Sequence, residues 1–101
     1  MDPERSNICT ADVVIATAGR DQGKLFYVLS VQGELLQLVN GKDRTLEKPK
    51  RKKRKHVQKV LRAETSVADK IRTGDKVLNS ELRRDLAFLS REMQSNDLGG
   101  F

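Results

Sequence analysis

Residues 13–31 run VVIAT, AGRDQGK and LFYVLSV, and this stretch decides the fold class. Its two outer runs are rich in β-branched and aromatic residues, which fit half-buried strands. We expect a first strand over Asp12–Thr17 and a second over Leu25–Val31. Two glycines and several charges lie between them, so the chain can turn there and expose Arg20 and Lys24. The stretch therefore predicts two strands joined by a loop with basic residues at its tip.

Three more strand-like segments follow. Leu35–Val39 comes after a Gln-Gly turn signal and predicts a third strand. Asn40-Gly41 is typical of a tight type I′ hairpin turn, so we expect a short fourth strand at Asp43–Leu46 that pairs back across it. His56–Leu61 predicts a fifth strand. Five short strands separated by turns indicate a small, strongly bent barrel, because closing the sheet removes exposed edges.

The pattern becomes helical after residue 63. Ser66 and Asp69 resemble a capping box, which predicts a two-turn helix over Val67–Thr73 that ends at Gly74. A second helix begins near Asn79, and its leucine stripe from Leu78 to Met93 is expected to pack on the barrel or on the first helix. The alternative is that this stripe docks a protein partner.

These elements give a mostly β fold with a C-terminal pair of short α-helices. The expected organisation is a flexible tail at 1–9, a five-stranded barrel at 10–62, a helical appendage at 63–94 and a flexible tail at 95–101. A chain of 101 residues with 37% hydrophobic residues can form one compact core.

The positive charge is concentrated in the β-rich part. Residues 1–62 carry 14 Lys or Arg and 7 Asp or Glu, a net of +7, whereas residues 63–101 carry 6 and 7, a net of −1. This asymmetry indicates a polyanionic partner, for which nucleic acid comes first and an anionic membrane surface second. Cys9 is the single cysteine, and no apolar run approaches the ~20 residues that span a bilayer. We therefore expect a soluble cytoplasmic protein.

Lys50–Lys55 is the strongest electrostatic feature, with six consecutive positive charges after Pro49. Because like charges repel and proline lacks a backbone donor, we expect an exposed extended loop here. Such a run can neutralise phosphates with release of counterions. The alternatives are a solvated run without a partner and, in a host with a nucleus, a nuclear localisation signal.

The residues offer no catalytic or metal-binding arrangement. A phosphate-binding P-loop needs Gly and Ser or Thr where this chain has Ala18 and Leu25. His56 is the single histidine and Cys9 is far from it, so neither a metal site nor a cofactor is expected. Base reading in RNA uses exposed aromatic side chains, and Tyr27 is a candidate because it faces away from the core residue Phe26.

Several motifs together resemble the KOW-type RNA-binding proteins. They are Ala18–Lys24 with Phe26 and Val28, Asn40–Arg44, Leu46–Lys50 and Lys55–Val57. The chain is most similar to bacterial KOW-domain proteins related to the large-subunit ribosomal protein families fourteen-e and twenty-seven-e, including their helical tail. The resemblance implies an SH3-like barrel that binds RNA, which in the related ribosomal families it does as part of the large subunit, and it leaves open which RNA is bound here. Gln22 departs from the lysine expected between Asp21 and Gly23, which weakens phosphate contact at the loop tip.

We therefore predict a non-catalytic RNA-binding protein that grips structured RNA, such as ribosomal RNA, by its phosphates. Three basic loops on one side of the barrel would carry the contacts, with no membrane and no small-molecule substrate involved. The alternative is a protein-interaction adaptor of the translation or transcription machinery. The predicted RNA-binding residues are Arg20, Lys24, Lys42, Arg44, Lys48, Lys50, Arg51, Lys52, Lys53, Arg54, Lys55 and His56.

Overall fold

A computed structural model describes the backbone of residues 7–99 and the side chains of residues 7–93. One antiparallel sheet has the strand order β4-β3-β2-β1-β5 and is followed by two helices. The elements are β1 (Asp12–Ala16), β2 (Leu25–Gln32), β3 (Leu35–Val39), β4 (Lys50–Lys53), a 3₁₀ turn (Arg54–His56), β5 (Val57–Arg62), α1 (Ser66–Thr73) and α2 (Asn79–Gly99). The predicted five-stranded antiparallel architecture with two C-terminal helices is confirmed.

Both faces of the sheet are buried, each against a different set of side chains. One face forms the sheet cluster, which holds Val14, Phe26, Val28, Leu36 and Leu38 and includes no helical residue among its described members. Ile8, which precedes β1, is buried in this cluster with the sheet residues. Register shifts at Val13/Val14 and between Val28 and Ser30 mark irregularities of the kind that increase the twist of a strand.

The opposite face forms the helix cluster. The side chains of Val13, Tyr27 and Val39 project from this face of the sheet and are fully buried beneath α1 and α2. Leu82 and Leu86 of α2 are buried in the same cluster, which confirms that most of the leucine stripe packs on the sheet. Leu78, at the start of the stripe, does not pack there and is 50% exposed.

The prediction of a fourth strand at Asp43–Leu46 is wrong. The segment is a loop, in which Asn40 Oδ1 accepts the backbone N–H groups of Lys42 at 2.9 Å and Arg44 at 3.0 Å. Gly41 has a φ of +77° but Asn40 does not have a positive φ, so no type I′ turn forms. The side-chain amide of Asn40 closes the loop instead of a strand pairing.

The fourth strand is formed by Lys50–Lys53, so the prediction of a loop over the whole basic run is also wrong. Leu36 lies opposite Lys52 and Leu38 opposite Lys50, which places both lysines on the side of the sheet cluster. Their aliphatic stems can cover apolar surface there while the charged ends reach polar groups. The first four residues of the basic run therefore form a strand that pairs with β3, although their charge predicts a loop.

The helices begin and end mostly as predicted. Thr65, and not Ser66, caps α1, because its Oγ1 accepts the backbone N–H of Ala68 at 3.1 Å. Gly74 ends α1 in the left-handed region, as expected. α2 begins at Asn79 and continues through Gly99, so residues 95–99 of the predicted tail are helical. The rest of that tail, and residues 1–6 of the N-terminal one, lie outside the described residues.

Candidate nucleic-acid interface

The three predicted basic segments contact one another, although only the β1–β2 loop and the 40–48 loop lie at the same end of β2. The backbone N–H of Thr17 donates to the carbonyl of His56 at 2.8 Å, and the backbone of the β1–β2 loop also contacts β4. Lys24 Nζ of the same loop donates to Asp43 Oδ2 of the third loop at 2.6 Å. We call residues 17–24, 40–48 and 50–56 the basic rim. Its parts are joined by direct contacts, and the third segment extends along β4 to the β2–β3 turn, which Arg54 contacts.

Two cations of the basic rim are paired within it. Lys24 binds Asp43, and Arg44 Nη2 lies 3.3 Å from Oδ2 of the buried Asp21. Hydrogen bonds from Lys24 and Asn40 lower the pKa of Asp43 to about 2. The hydrogen bond to Asp43 in turn raises the pKa of Lys24. Both groups stay charged at neutral pH, so these ion pairs hold the β1–β2 loop against the 40–48 loop.

Lys52 is also used inside the protein. It is 8% exposed, and its Nζ donates to the carbonyl oxygen of Ala18 at 2.7 Å. A Cβ at Gly19 would lie only 3.2 Å from the same Nζ. Lys52 therefore connects β4 to the glycine loop, and a buried ammonium group with a carbonyl partner is not presented to a phosphate.

Arg54 anchors the end of β4 to the β2–β3 turn. Its backbone N–H donates to the carbonyl of Glu34 at 2.9 Å, and its Nε donates to the carbonyl of Gly33 at 2.9 Å. This arginine positions the 3₁₀ turn that leads into β5. Its guanidinium is directed to the hairpin and not to the loops at the opposite end of β2.

The remaining predicted cations form the outer part of the basic rim. Within residues 7–93 none of them has an ion-pair partner. Lys50 is half-buried, as is His56, whose side chain has no described hydrogen bond. The exposed ones are Arg20, Lys42, Lys48, Arg51, Lys53 and Lys55.

Arg51, Lys53 and Lys55 form what we call the cationic strip. Arg51 and Lys53 alternate with the inward lysines of β4, so they project from the other face of the sheet, about 6.7 Å apart. Their neighbours across the strand pair are Gln37 and Leu35, which carry no charge. Lys55 follows in the 3₁₀ turn and is also exposed. The strip thus holds three exposed positive charges, two of them on a hydrogen-bonded strand, and none has an ion-pair partner among residues 7–93.

A groove of about 720 Å³ separates the basic rim from α2. Its walls include Lys24, Lys42 and Asp43 on one side and Arg83, Ala87 and Ser90 on the other, with Leu25 and Leu86 also among its lining residues. Sequence reasoning missed Arg83, because its contact with the rim joins residues far apart in the chain.

The loop side of this groove is fixed to α2. Arg83 Nη1 donates to the carbonyl of Gly41 at 2.6 Å. Asn79 accepts the backbone N–H of Leu46 at 2.9 Å and donates to Glu47 at 2.9 Å. The hydrogen bond from Asn79 lowers the pKa of Glu47. The 40–48 loop therefore keeps a defined position relative to the helix.

The hypothesis that Tyr27 stacks on RNA bases is wrong. Its side chain is fully buried in the helix cluster, and its hydroxyl donates to Asp85 and lies 3.1 Å from Thr65 Oγ1. Burial, followed by the hydrogen bond to Asp85, raises the pKa of Tyr27. Tyr27 does face away from Phe26, as predicted, but the helices cover that side.

Neither a scan of protein-family models nor a search of curated proteins finds a match to this chain. Within residues 7–99, no helix has both the length and the apolar character needed to cross a membrane. Across the same part of the chain, His, Cys, Asp and Glu residues form no group of three or more that could hold a metal ion.

Proposed function

We propose that this protein binds structured RNA through phosphate contacts made by the cationic strip and the exposed cations of the basic rim. The observation that carries the proposal is the row Arg51, Lys53 and Lys55, which is exposed and has no carboxylate partner in the described part of the chain. Carboxylates of this protein do pair with other cations of the rim. Charges left without such a partner suit a polyanion that supplies its own negative groups.

The cations divide into two groups with different roles. Lys24, Arg44 and Lys52 hold the rim together through contacts of 2.6–3.3 Å, and the outer cations contact phosphates. Because β4 is hydrogen-bonded to β3, the spacing of Arg51 and Lys53 is set before RNA binds. Preorganised cations lose less conformational freedom on binding than a mobile loop does. Recognition is directed to the shape and backbone of the RNA, since phosphate contacts carry no sequence information.

We further propose that the sheet is an SH3-like barrel of the KOW type. Three features support this: the strand order, the two bulges that bend the sheet, and the three-residue 3₁₀ turn that joins edge strands β4 and β5. The resemblance of the β1–β2 loop and of the segments after β3 to KOW proteins points to ribosomal RNA and the large ribosomal subunit in the cytoplasm. Co-sedimentation with large subunits in a salt series tests that assignment.

The decisive experiment compares two variants of equal net charge. Arg51→Gln/Lys53→Gln removes two charges of the cationic strip, and Arg62→Gln/Lys76→Gln removes two exposed charges outside the basic rim. Binding to a folded RNA is measured from low to high salt. Each lost phosphate contact reduces the log–log salt slope by roughly 0.7–0.9. We therefore expect the slope of the first variant to fall by about 1.4–1.8, and its affinity near 0.1 M salt to fall at least about tenfold. The second should lose far less.

Equal losses in the two variants would show that only net charge matters, which contradicts the proposal. Circular dichroism of both variants confirms that each retains the fold. The adaptor alternative has a separate test, which is capture of partners before and after ribonuclease treatment. Partners that remain after complete digestion of RNA, and that Arg51→Gln/Lys53→Gln still captures, would favour a protein-interaction adaptor.

A further inference from the structure

α2 carries an aromatic ring on the side turned away from the sheet. Phe88 is 52% exposed, whereas Phe26 and Tyr27 are fully buried. Among the aromatic residues whose side chains are described, Phe88 is thus the one with an accessible ring. A ring exposed to this extent gains less from burial than a fully buried one does. Its accessible face is available to a ligand.

Two arginines flank this ring. Arg84 is four residues before Phe88 and Arg91 three residues after it, and this spacing places all three on one side of a helix. The rise of an α-helix separates the two arginines by about 10 Å along the axis, with the ring between them. Both are exposed, and neither has an ion-pair partner within residues 7–93.

The acidic residues near this side of α2 do not cancel its charge. Glu81 is already paired with Lys70 Nζ at 2.8 Å, and this hydrogen bond lowers the pKa of Glu81. Asp85 accepts hydrogen bonds from Tyr27 and Thr65 in the helix cluster. Glu92 is the one exposed carboxylate beside Phe88 in the described part of the helix. Two arginines against one unpaired carboxylate leave the surface positive.

We infer that Arg84, Phe88 and Arg91 form a stacking site for one unpaired nucleotide of the bound RNA. The base lies on the phenyl ring, and the phosphates on either side of it contact the two guanidinium groups. A base inside a duplex has no free face for this contact, so the site distinguishes unpaired from paired RNA. This inference rests on the proposed RNA-binding function and adds a contact that the basic rim lacks.

The position of the site agrees with one continuous RNA-binding surface. Arg83 and Ala87 line the groove beside the basic rim. Arg84 and Phe88 are the next residues in sequence, and each lies about 100° further around the helix. A strand that leaves the phosphate contacts of the rim therefore reaches Phe88 by crossing one helix surface.

Phe88→Ala is the central variant, and Leu78→Ala is its matched control because Leu78 is a similarly exposed apolar residue next to the same helix. Binding is measured to a hairpin with an unpaired overhang and to a blunt duplex of equal phosphate number. Stacking of one base contributes about 1–3 kcal/mol, so Phe88→Ala should weaken overhang binding about five- to 150-fold and leave duplex binding within twofold. The salt slope should not change, because no charge is removed. Phe88→Tyr should retain binding, as should Leu78→Ala.

A tryptophan reporter gives an independent readout. The chain contains no tryptophan, so Phe88→Trp introduces a single indole at the site, and Leu78→Trp provides the control. We expect the overhang RNA to quench the first and not the second. The inference is overturned if Phe88→Ala and Leu78→Ala bind the overhang RNA equally, or if Phe88→Ala instead abolishes a concentration-dependent dimer. Failure of the strip variant Arg51→Gln/Lys53→Gln to affect either RNA would contradict the proposed function itself.

Discussion

Tyr27 connects the sheet to both helices through one hydroxyl group. The hydroxyl donates to Asp85 of α2 and lies 3.1 Å from Oγ1 of Thr65, which caps α1. Thr65 Oγ1 also donates to Asp85 at 2.9 Å. The carboxylate thus has two donors in a largely apolar cluster, which satisfies a group that would be costly to bury alone.

The raised pKa of Tyr27 predicts a loss of stability at alkaline pH. In the unfolded chain tyrosine ionises near pH 10, whereas native Tyr27 stays protonated. Its contribution to the free energy of unfolding is therefore fully present below about pH 10 and decreases as the pH rises further. Tyr27 is the single tyrosine, so tyrosinate absorbance reports this residue directly. We expect the absorbance to appear together with loss of the helical circular dichroism signal.

Tyr27→Phe is the control for this titration, because it keeps the ring and removes the ionising group. The difference in unfolding free energy between the natural protein and Tyr27→Phe should fall above about pH 10. A tyrosinate titration centred near pH 10 in a protein with intact helices would contradict the prediction.

Strand alternation could predict that Tyr27 faces away from Phe26. It could not predict the helices that cover this side, because they come from a part of the chain more than 35 residues later.

At the scale of elements, four of the five strands could be predicted to within one or two residues. β1, β2, β3 and β5 contain apolar residues in patterns that a sequence window detects. β4 does not, because all four of its residues are cations. β4 forms because it pairs with β3, which places Lys52 opposite Leu36 and Lys50 opposite Leu38. The sequence of the segment alone cannot predict this pairing.

The inward and outward residues of β4 should differ in their effect on stability. Lys52→Ala removes a buried stem and the hydrogen bond to Ala18, so we expect it to lower the free energy of unfolding by about 1–3 kcal/mol. Lys53→Ala removes an exposed side chain and should stay within about 0.5 kcal/mol of the natural protein. Urea denaturation at constant salt measures both. Equal effects would show that β4 does not alternate as described.

At the scale of the molecule, the helices and the sheet share one core. Val13, Tyr27 and Val39 of the sheet are buried together with Val67, Leu82 and other helical residues. The first 62 residues carry the basic surface, but they do not bury the outer face of their own sheet. Composition could predict a boundary near residue 63 from the change in periodicity and charge. It could not predict that the two segments depend on each other for burial.

Truncation tests this dependence. A chain that ends at residue 62 exposes Val13, Tyr27 and Val39 of the helix cluster, so we expect it to be unfolded or aggregated. A chain that ends at residue 93 keeps Leu82, Leu86 and Leu89 and should remain folded. Circular dichroism and thermal unfolding distinguish the two outcomes. Cooperative unfolding of the 1–62 fragment would show that the sheet is an independent domain.

The residue types of the candidate interface could be predicted, but their roles could not. Charge and position in predicted loops identify the twelve residues of the predicted interface. Which of them are free depends on contacts such as Lys24 with Asp43, which are 19 residues apart, and Lys52 with Ala18, which are 34 apart. Only the folded chain separates the cations that stabilise the rim from those open to a phosphate.

Every residue of β4 is a lysine or an arginine, so the strand contains little information about its own alignment. A slip of one position that brings Arg54 opposite Leu35 would again place a cation opposite each partner, and the residue types within the strand would barely distinguish the two arrangements. Contacts outside the strand pair support the native alignment: Arg54 makes two hydrogen bonds to the turn between β2 and β3, one of them through its backbone, and Lys52 Nζ donates to the carbonyl of Ala18. These contacts favour the arrangement in which Lys50 and Lys52 point inward.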